Sequence, residues 1–258
     1  MIRTRFGLVF AGLLLAVSAC GTATPPPAAP TTPPAPTAIE ILHAAAAATA
    51  GQSFRYEVTY GQLLTGQGAR DASGQRAERD VTVSSAGLVI KANIRRVENT
   101  VYARLDLGLL GPLIPGLADV GDGWLLIDPG RLNPDGLSAS LVPGPDSSTV
   151  ESYVAGVVTA EVVSATEIRG TVDITRSAPV ALPARELAKL SAQDRIVPFT
   201  ATLDAQGRVV KTVMQMPAIA GYPAAPLTTT YRDFGAVVTV VAPASARPAP
   251  LALYPVLP

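Results

Sequence analysis

Phe54-Arg55-Tyr56-Glu57-Val58-Thr59-Tyr60 decides the fold, because large apolar side chains occupy every second position and polar side chains lie between them. Alternation with a period of two is the pattern of a half-buried β-strand, whose successive side chains point to opposite faces of a sheet. Similar stretches predict further strands over 79–84, 88–97, 100–106, 124–127, 157–165, 167–175, 197–203, 208–216 and 228–234. Short successive strands pair antiparallel, so we expect a meander sheet of about ten strands.

Two tight turns support antiparallel pairing. Asp204-Ala205-Gln206-Gly207 predicts a hairpin turn, because glycine adopts a positive φ without strain and the aspartate side chain can accept a hydrogen bond from the turn backbone. Glu98-Asn99 is the expected turn between the strands 88–97 and 100–106. Both turns join neighbours in sequence, so these strand pairs are expected to be neighbours in the sheet.

Three helices are predicted beside the sheet. Thr37 and Glu40 fit a capping box at the start of a helix over 38–50. Further helices are expected over 149–155 and over 183–191, where a proline stands near the first turn. A few helices and one large antiparallel sheet define an α+β fold, and a sheet of this size usually curls.

The composition excludes several classes of function. The chain has 258 residues, of which 16% are charged, with Lys+Arg and Asp+Glu both totalling 20. Charged residues are typically about 25% of a soluble protein, and this chain has no basic cluster of the kind that holds phosphates, so a nucleic-acid partner is not expected. One histidine and one cysteine exclude an intramolecular disulfide and a Cys/His zinc site.

The single cysteine follows a leader-like segment. Arg3 and Arg5 precede an apolar run over 6–16, which is too short to cross about 30 Å of hydrocarbon as a helix. Val17-Ser18-Ala19 then lead into Cys20, and small residues before a cysteine resemble the bacterial lipobox. We therefore expect a signal peptide over 1–19 and a Cys20 that carries acyl chains such as palmitate. The alternative is a buried helix with a chance cysteine.

Proline-rich segments flank the predicted domain. Residues 20–37 are expected to be the lipidated cysteine and a Pro/Thr-rich linker, with seven prolines between 21 and 37. Such a segment reaches about 50 Å if it is fully extended, although a disordered tether of no required length fits equally well. Residues 38–243 are the predicted folded domain, and 244–258 a Pro/Ala-rich C-terminal tail that we expect to be extended.

The segment from Leu107 to Val120 is apolar but irregular. It carries six Leu or Ile side chains, yet its glycines and prolines prevent a regular helix or a continuous strand. Exposed apolar patches mark binding sites or aggregation hazards. The segment is therefore either a loop packed on the core or a flexible lip at the mouth of an apolar cavity.

The order of elements and several short motifs resemble a known family. Behind the cysteine, linker and first helix come Val101-Tyr102-Ala103-Arg104, Gly123-Trp124, Leu132-Asn133-Pro134-Asp135-Gly136-Leu137, a hairpin from Val197-Pro198-Phe199 to Val210, and Tyr231-Arg232-Asp233-Phe234-Gly235. Over about residues 38–243 this looks like the mycobacterial LppX/LprA/LprF/LprG lipoproteins, which resemble the LolA/LolB carriers in fold.

The resemblance implies a half-barrel, a large curved antiparallel β-sheet with helices packed on its concave face around a hydrophobic cavity. Such a cavity would accept acyl chains of a lipid or glycolipid and carry them across the cell envelope, with a membrane transporter as a further partner. The family implies no catalytic residues, and only the lipid-bearing Cys20 is carried over. Alternation and position near the mouth give these cavity candidates: Phe54, Tyr56, Val58, Leu88, Ile90, Leu109, Leu110, Leu113, Ile114 and Trp124.

Two other classes of function compete with a lipid carrier. An enzyme would need a recognisable motif, but the Gly-x-Ser-x-Gly, Ser-x-x-Lys, His-Glu-x-x-His, P-loop and Gly-x-Gly-x-x-Gly patterns are all missing from the sequence. We therefore expect no enzymatic activity, no cofactor and no metal site. A non-catalytic envelope scaffold, sensor or partner-binding lipoprotein with a solid core explains the anchor, linker and sheet equally well. In both remaining cases the expected location is the extracytoplasmic face of the bacterial plasma membrane.

Overall fold

A computed structural model describes residues 35–85, 87–113, 115–117, 120, 123–132, 149–177, 184–219 and 223–254. All elements in these residues lie in the unit Pro36–Pro258. The helices are α1 Ala38–Ala50, α2 Thr149–Ala155 and α3 Ala184–Leu187, with 3-10 helices at Gly108–Leu113, Pro129–Arg131 and Leu251–Leu253. The strands are β1 Phe54–Tyr60, β2 Leu64–Arg70, β3 Arg76–Ser85, β4 Leu88–Val97, β5 Thr100–Asp106, β6 Leu125–Ile127, β7 Val157–Ser164, β8 Glu167–Asp173, β9 Ile196–Leu203, β10 Val209–Met216, β11 Ala225–Arg232 and β12 Arg247–Pro248.

All twelve strands of the described residues belong to one open sheet, in the order β12-β6-β5-β4-β3-β2-β1-β11-β10-β9-β8-β7. Every neighbouring pair is antiparallel except β12 and β6, which are parallel. Two neighbouring pairs are far apart in the chain, β1 with β11 and β12 with β6, so the meander is interrupted by two long-range pairings. The predicted α+β fold, a large curved antiparallel sheet with a few helices, is confirmed, with more strands than the ten expected.

Local signals placed many elements correctly. Helix α1 and strands β1, β4 and β5 have the predicted bounds. The capping box is formed, since Glu40 N donates to the Thr37 hydroxyl at 3.3 Å and Thr37 N donates to the Glu40 carboxylate at 2.7 Å. The helix predicted over 183–191 is shorter, with α3 ending at Leu187, and β11 begins at Ala225, three residues before the predicted start.

Strand β2, over Leu64–Arg70, is absent from the sequence-based prediction because Gly66 and Gly68 interrupt the apolar alternation. The structure explains Gly68. A Cβ atom there would lie 2.6 Å from the Tyr56 ring and 2.5 Å from the Glu78 carbonyl oxygen. The strand needs a residue without a side chain at this position because the tyrosine of the neighbouring strand crosses it.

The main core lies between α1, α2 and one face of the sheet. Leu42 of α1 and Val150 of α2 are fully buried there. Aromatic rings meet edge to face, with Phe54 and Tyr231 at 5.6 Å and Tyr153 and Phe199 at 5.4 Å between ring centroids. Edge-to-face pairs add to the stabilisation that burial provides.

A second, separate hydrophobic cluster covers β4, β5 and β6. It includes Leu105, Leu117, Leu125 and Leu253, each no more than 5% exposed. Leu253 belongs to the C-terminal segment, which the sequence predicts as an extended tail. Part of this segment contacts the sheet, because β12 pairs with β6 and Asp128 N donates to the Tyr254 hydroxyl at 3.0 Å.

The opposite face of the sheet, which we call the outer face, is polar. One register row crosses ten strands and contains a single apolar residue: Glu161, Arg169, Thr200, Val213, Thr228, Thr59, Thr65, Thr82, Lys91 and Asp106. Among the described helices, none combines the length and hydropathy that a membrane span requires.

Candidate functional site

The predicted cavity residues divide into three groups, and the first lies inside the main core. Phe54, Tyr56 and Val58 are 2%, 7% and 3% exposed. The Tyr56 hydroxyl accepts a hydrogen bond from Arg79 Nε at 2.7 Å, and its neighbour Phe54 packs edge to face on Tyr231. These side chains pack against other protein side chains, as they do in a solid core, and do not line an open cavity.

The second group is Trp124 alone, which contacts the outer face. Its ring lies under two guanidinium groups, with Arg95 at 4.8 Å and Arg104 at 5.5 Å from the ring centroid. Both arginines alternate with buried residues of β4 and β5, so they point away from the second cluster. Cation–π contacts of this kind stabilise the ring at an interface with water. Sequence reasoning missed the two arginines because they come from other strands.

The third group collects at the start of β4. Leu88 and Ile90 share a face with the buried Ala92 and Ile94 by alternation. Both are only half-buried, and neither belongs to the main core or to the second cluster. The apolar face of the sheet is therefore incompletely covered at this point by the residues that the structure describes.

The 3-10 helix Gly108–Leu113 lies against β4, and a Cβ atom at Gly108 would come within 2.9 Å of the carbonyl oxygen of Val89, the residue between Leu88 and Ile90. Leu109 and Leu113 are 75% and 74% exposed, and Leu110 is half-buried. The helix is fixed to β5 through Asp106, whose carboxylate accepts a hydrogen bond from Gly108 N at 3.0 Å. We call Leu88, Ile90, Leu109, Leu110 and Leu113 the apolar margin. Ile114, the remaining candidate of this segment, lies outside the described residues.

The segment 107–120 combines features of both interpretations that the sequence left open. Leu117 and Val120 are 1% and 2% exposed and belong to the second cluster, as expected for a loop packed on the core. Leu109 and Leu113 face solvent, as expected for a lip. The buried end holds the segment in place while the other end presents apolar side chains.

Three cavities lined by described residues lie on the outer face. The largest has a volume of about 590 Å³ and includes Thr159, Glu161, Arg169 and Gln215 in its lining. The others, of about 330 and 320 Å³, share Asp80. Charged and hydroxyl side chains line part of all three, and the lining of the largest also includes Pro198, Phe199 and Val213.

The shifted ionisable groups have structural explanations. Burial raises the pKa of the Tyr153 hydroxyl well above its usual range, and the nearby Tyr231 raises it further. Burial alone would raise the pKa of Asp204, but hydrogen bonds from the backbone and side chain of Arg208 and the backbone of Gln206 outweigh it and lower that pKa. The same hydrogen bonds from Arg208 and Gln206 to Asp204 close the turn between β9 and β10. Within the described residues, no cluster of three or more His, Cys, Asp or Glu is placed to hold a metal ion.

Comparison with known proteins adds no relative. Neither a scan against protein-family models nor a search of the curated proteins finds a match for this chain. The resemblance to the LppX/LprA/LprF/LprG lipoproteins therefore rests on the order of elements and the short motifs alone. Cys20 lies outside the described residues, so its lipidation stays a prediction.

Proposed function

We propose that this chain is an extracytoplasmic lipoprotein, anchored to the plasma membrane through Cys20, that binds the acyl chains of a lipid or glycolipid and carries it across the cell envelope. The anchor is supported by Val17-Ser18-Ala19-Cys20 after a basic and apolar leader. Two or more acyl chains give stable anchoring because each buried CH₂ contributes about 0.8 kcal/mol. The proposal includes no catalytic step.

The apolar margin is the observation that supports acyl-chain binding. It combines two half-buried residues of the apolar sheet face, both on β4, with a 3-10 helix that contacts this strand and has two leucines about three-quarters exposed. Leaving leucine in water is unfavourable by about 25 cal/mol for each Å² of apolar surface. An acyl chain laid along the margin would bury this surface without requiring any polar partner. The ligand would therefore enter beside β4.

A second candidate function has its own support. Phe54, Tyr56 and Val58 were expected to line a cavity but are packed against protein in the main core. A lipoprotein with a solid core would serve as a scaffold, a sensor or a partner-binding module, and its apolar margin would then contact protein. The two candidates differ in whether a lipid is bound in stoichiometric amount.

Lipid analysis of matched variants tests the proposal. The full-length protein is purified in mild detergent and extracted with organic solvent, and lipid per chain is quantified by mass spectrometry. Leu113→Asp is the test variant, because a side chain that is 74% exposed can be changed without disturbing the core. Leu126→Asp is the control, since Leu126 is 39% exposed and points to the outer face from β6.

We expect stoichiometric lipid with the native protein and with Leu126→Asp, and a several-fold loss with Leu113→Asp at an unchanged melting temperature. Leu110→Asp should behave like Leu113→Asp if the segment is a lip, whereas a large loss of thermal stability would show that Leu110 is core. If all of these proteins carry the same trace of lipid, the carrier function is wrong and the scaffold candidate stands.

A further inference from the structure

The apolar margin continues into the second cluster along strand β4. Leu88 and Ile90 of the margin share the apolar face of β4 with Ala92 and Ile94, which belong to the second cluster. Residues two positions apart on a strand are separated by about 7 Å. The two apolar surfaces therefore form one track along β4, which is half-buried at one end and buried at the other.

The segment that carries the exposed leucines joins the same two surfaces. Leu107 packs against the second cluster and Leu117 belongs to it, whereas Leu109 and Leu113 between them are about three-quarters exposed. None of the residues from 107 to 117 is charged. A ligand that covers the exposed leucines would thus meet an apolar surface that leads into the second cluster.

The buried end of this track is filled by residues 247–254, which we call the C-terminal arm. Leu253 is fully buried in the second cluster, and Ala249 is 9% exposed there. A Cβ atom at Gly116 would lie 3.3 Å from the Ala252 Cβ atom, so the arm also contacts the 107–117 segment. The arm supplies apolar side chains to a cluster whose other members come mostly from β4, β5 and β6.

The backbone of the arm is attached to the sheet by a short pairing. Arg247 N donates to the Trp124 carbonyl and Ala249 N to the Leu126 carbonyl, each at 3.0 Å, but Pro248 between them has no N–H group. Strands β12 and β6 pair over two residues, whereas β3 and β4 pair over ten. Few backbone hydrogen bonds of the described residues would therefore break if the arm left the second cluster.

The chemistry of the arm matches that of an acyl chain. Residues 248–254 carry no charge, and the arm contacts the cluster through aliphatic carbons. Apolar contact is non-directional, so a hydrocarbon chain can cover the same surface as Leu253. A peptide in this place would need partners for its own backbone N–H and C=O groups. An acyl chain has no such groups along its length.

We propose that the second cluster is an acyl-chain site that the C-terminal arm occupies in the absence of ligand, and that an acyl chain entering along the apolar margin displaces Leu253. This inference rests on the proposed acyl-chain binding and adds where the chain lies and what it replaces. The arm and the ligand exclude each other, so a constraint that holds the arm in place weakens ligand binding.

A disulfide lock tests this exclusion. Leu126 of β6 and Pro248 of β12 are paired, and both are exposed. Neighbouring strands lie about 4.8 Å apart, within the Cα range for a disulfide. In a Cys20→Ser background, in which no other cysteine remains, Leu126→Cys with Pro248→Cys should close on oxidation and open on reduction. The two samples have the same sequence, so their difference reports the lock alone.

Binding is measured with cis-parinaric acid, a fatty acid whose fluorescence rises in an apolar site, at one fixed detergent concentration for the full-length chains. We expect the oxidised lock to bind this probe about tenfold more weakly than the reduced form, because the binding-competent state is depopulated. The control lock is Thr59→Cys with Thr228→Cys, a facing pair of β1 and β11 on the outer face. Its oxidation should leave the affinity unchanged.

Loosening the arm should have the opposite effect. Tyr254→Phe removes the hydroxyl that accepts a hydrogen bond from Asp128 N at 3.0 Å, and Asp128 is exposed, so water can replace the lost partner. A chain that ends at Ala246 lacks the arm altogether. We expect several-fold tighter binding of the probe by Tyr254→Phe, and the tightest binding, in equimolar amount, by the shortened chain.

Weaker binding by the oxidised lock, with no change in the control lock, supports the proposal. Equal binding by the oxidised and reduced locks overturns it and leaves the proposed acyl-chain binding standing, because the probe is then bound elsewhere. Failure of every form to bind the probe, the shortened chain included, contradicts acyl-chain binding itself, and this inference falls with it.

Discussion

The Thr49 side chain links helix α1 to the sheet, and a substitution of its hydroxyl group tests how much this link stabilises the fold. Thr49 is fully buried, including its hydroxyl group. The hydroxyl accepts a hydrogen bond from Val209 N at 2.9 Å and donates to the Ala45 carbonyl at 3.0 Å, with the Val209 carbonyl as a second acceptor at 3.3 Å. Thr49→Val keeps the volume and the branching of the side chain but removes all of these bonds.

The expected loss of stability follows from the Val209 N–H group, which Thr49→Val leaves without its hydrogen-bond acceptor. Val209 is itself fully buried, so water cannot replace the lost acceptor of its N–H group. A buried donor without a partner costs about 1–3 kcal/mol. For a domain of this size each kcal/mol lowers the melting temperature by about 2–4 °C, so Thr49→Val should melt roughly 2–12 °C below the native protein.

Thr49→Ser is the matched control, because it keeps the hydroxyl and loses one methyl group, worth about 0.8 kcal/mol. Urea unfolding followed by circular dichroism gives the free energy of unfolding of both variants. We expect Thr49→Val to be less stable than Thr49→Ser. If Thr49→Val is as stable as the native protein, the hydrogen bond to Val209 N does not hold α1 on the sheet, and the reasoning is refuted.

Two further predictions concern the anchor and the response to acid. Cys20→Ala should move the protein from the membrane fraction to the soluble fraction of disrupted cells, and retention in the membrane would disprove the lipobox interpretation. The Asp204 carboxylate accepts hydrogen bonds from Arg208 N at 2.9 Å and Arg208 Nε at 2.7 Å, and its pKa in the folded protein is lowered. A lowered pKa gives stability that is complete above the ordinary value of about 3.9 and is lost as the pH falls through the folded-state value. Asp204→Asn should therefore lose less stability than the native protein between about pH 5 and pH 2, and parallel losses in urea titrations would contradict the assignment.

Regular elements were predictable where the signal is local. The capping box of Thr37 and Glu40 and the alternation of β1 depend on residues three or two positions apart, and both agree with the structure. Strand β2 was missed because Gly68 is required by Tyr56 of another strand, a relation that no local pattern contains. The C-terminal segment is rich in proline and alanine and has no strand or helix periodicity, so its pairing with β6 was not predicted. That pairing depends on a strand more than a hundred residues earlier in the chain.

The candidate site was predictable only in part. Alternation placed Leu88 and Ile90 on the apolar face. The Gly/Pro-broken segment was expected to be irregular, but its first half forms the 3-10 helix Gly108–Leu113. Alternation does not say which part of a face is covered, so Phe54, Tyr56 and Val58 could not be separated from the apolar margin by sequence. Trp124 stands just before β6, and only the positions of Arg95 and Arg104 show which face its ring contacts.

The sequence by itself determined most of the segments that become strands and helices, because side-chain periodicity, capping and turn residues act over a few positions, but it did not give β2, β12 or the 3-10 helices. It also supplied the basic and apolar N-terminal pattern and Cys20, from which the signal peptide and the location are predicted. The tertiary structure alone decided the strand order, the division of the apolar face into two clusters, and the placement of Thr49 beside Val209. These depend on contacts between residues far apart in the chain, whose pairing is set by packing and hydrogen bonding across the whole sheet.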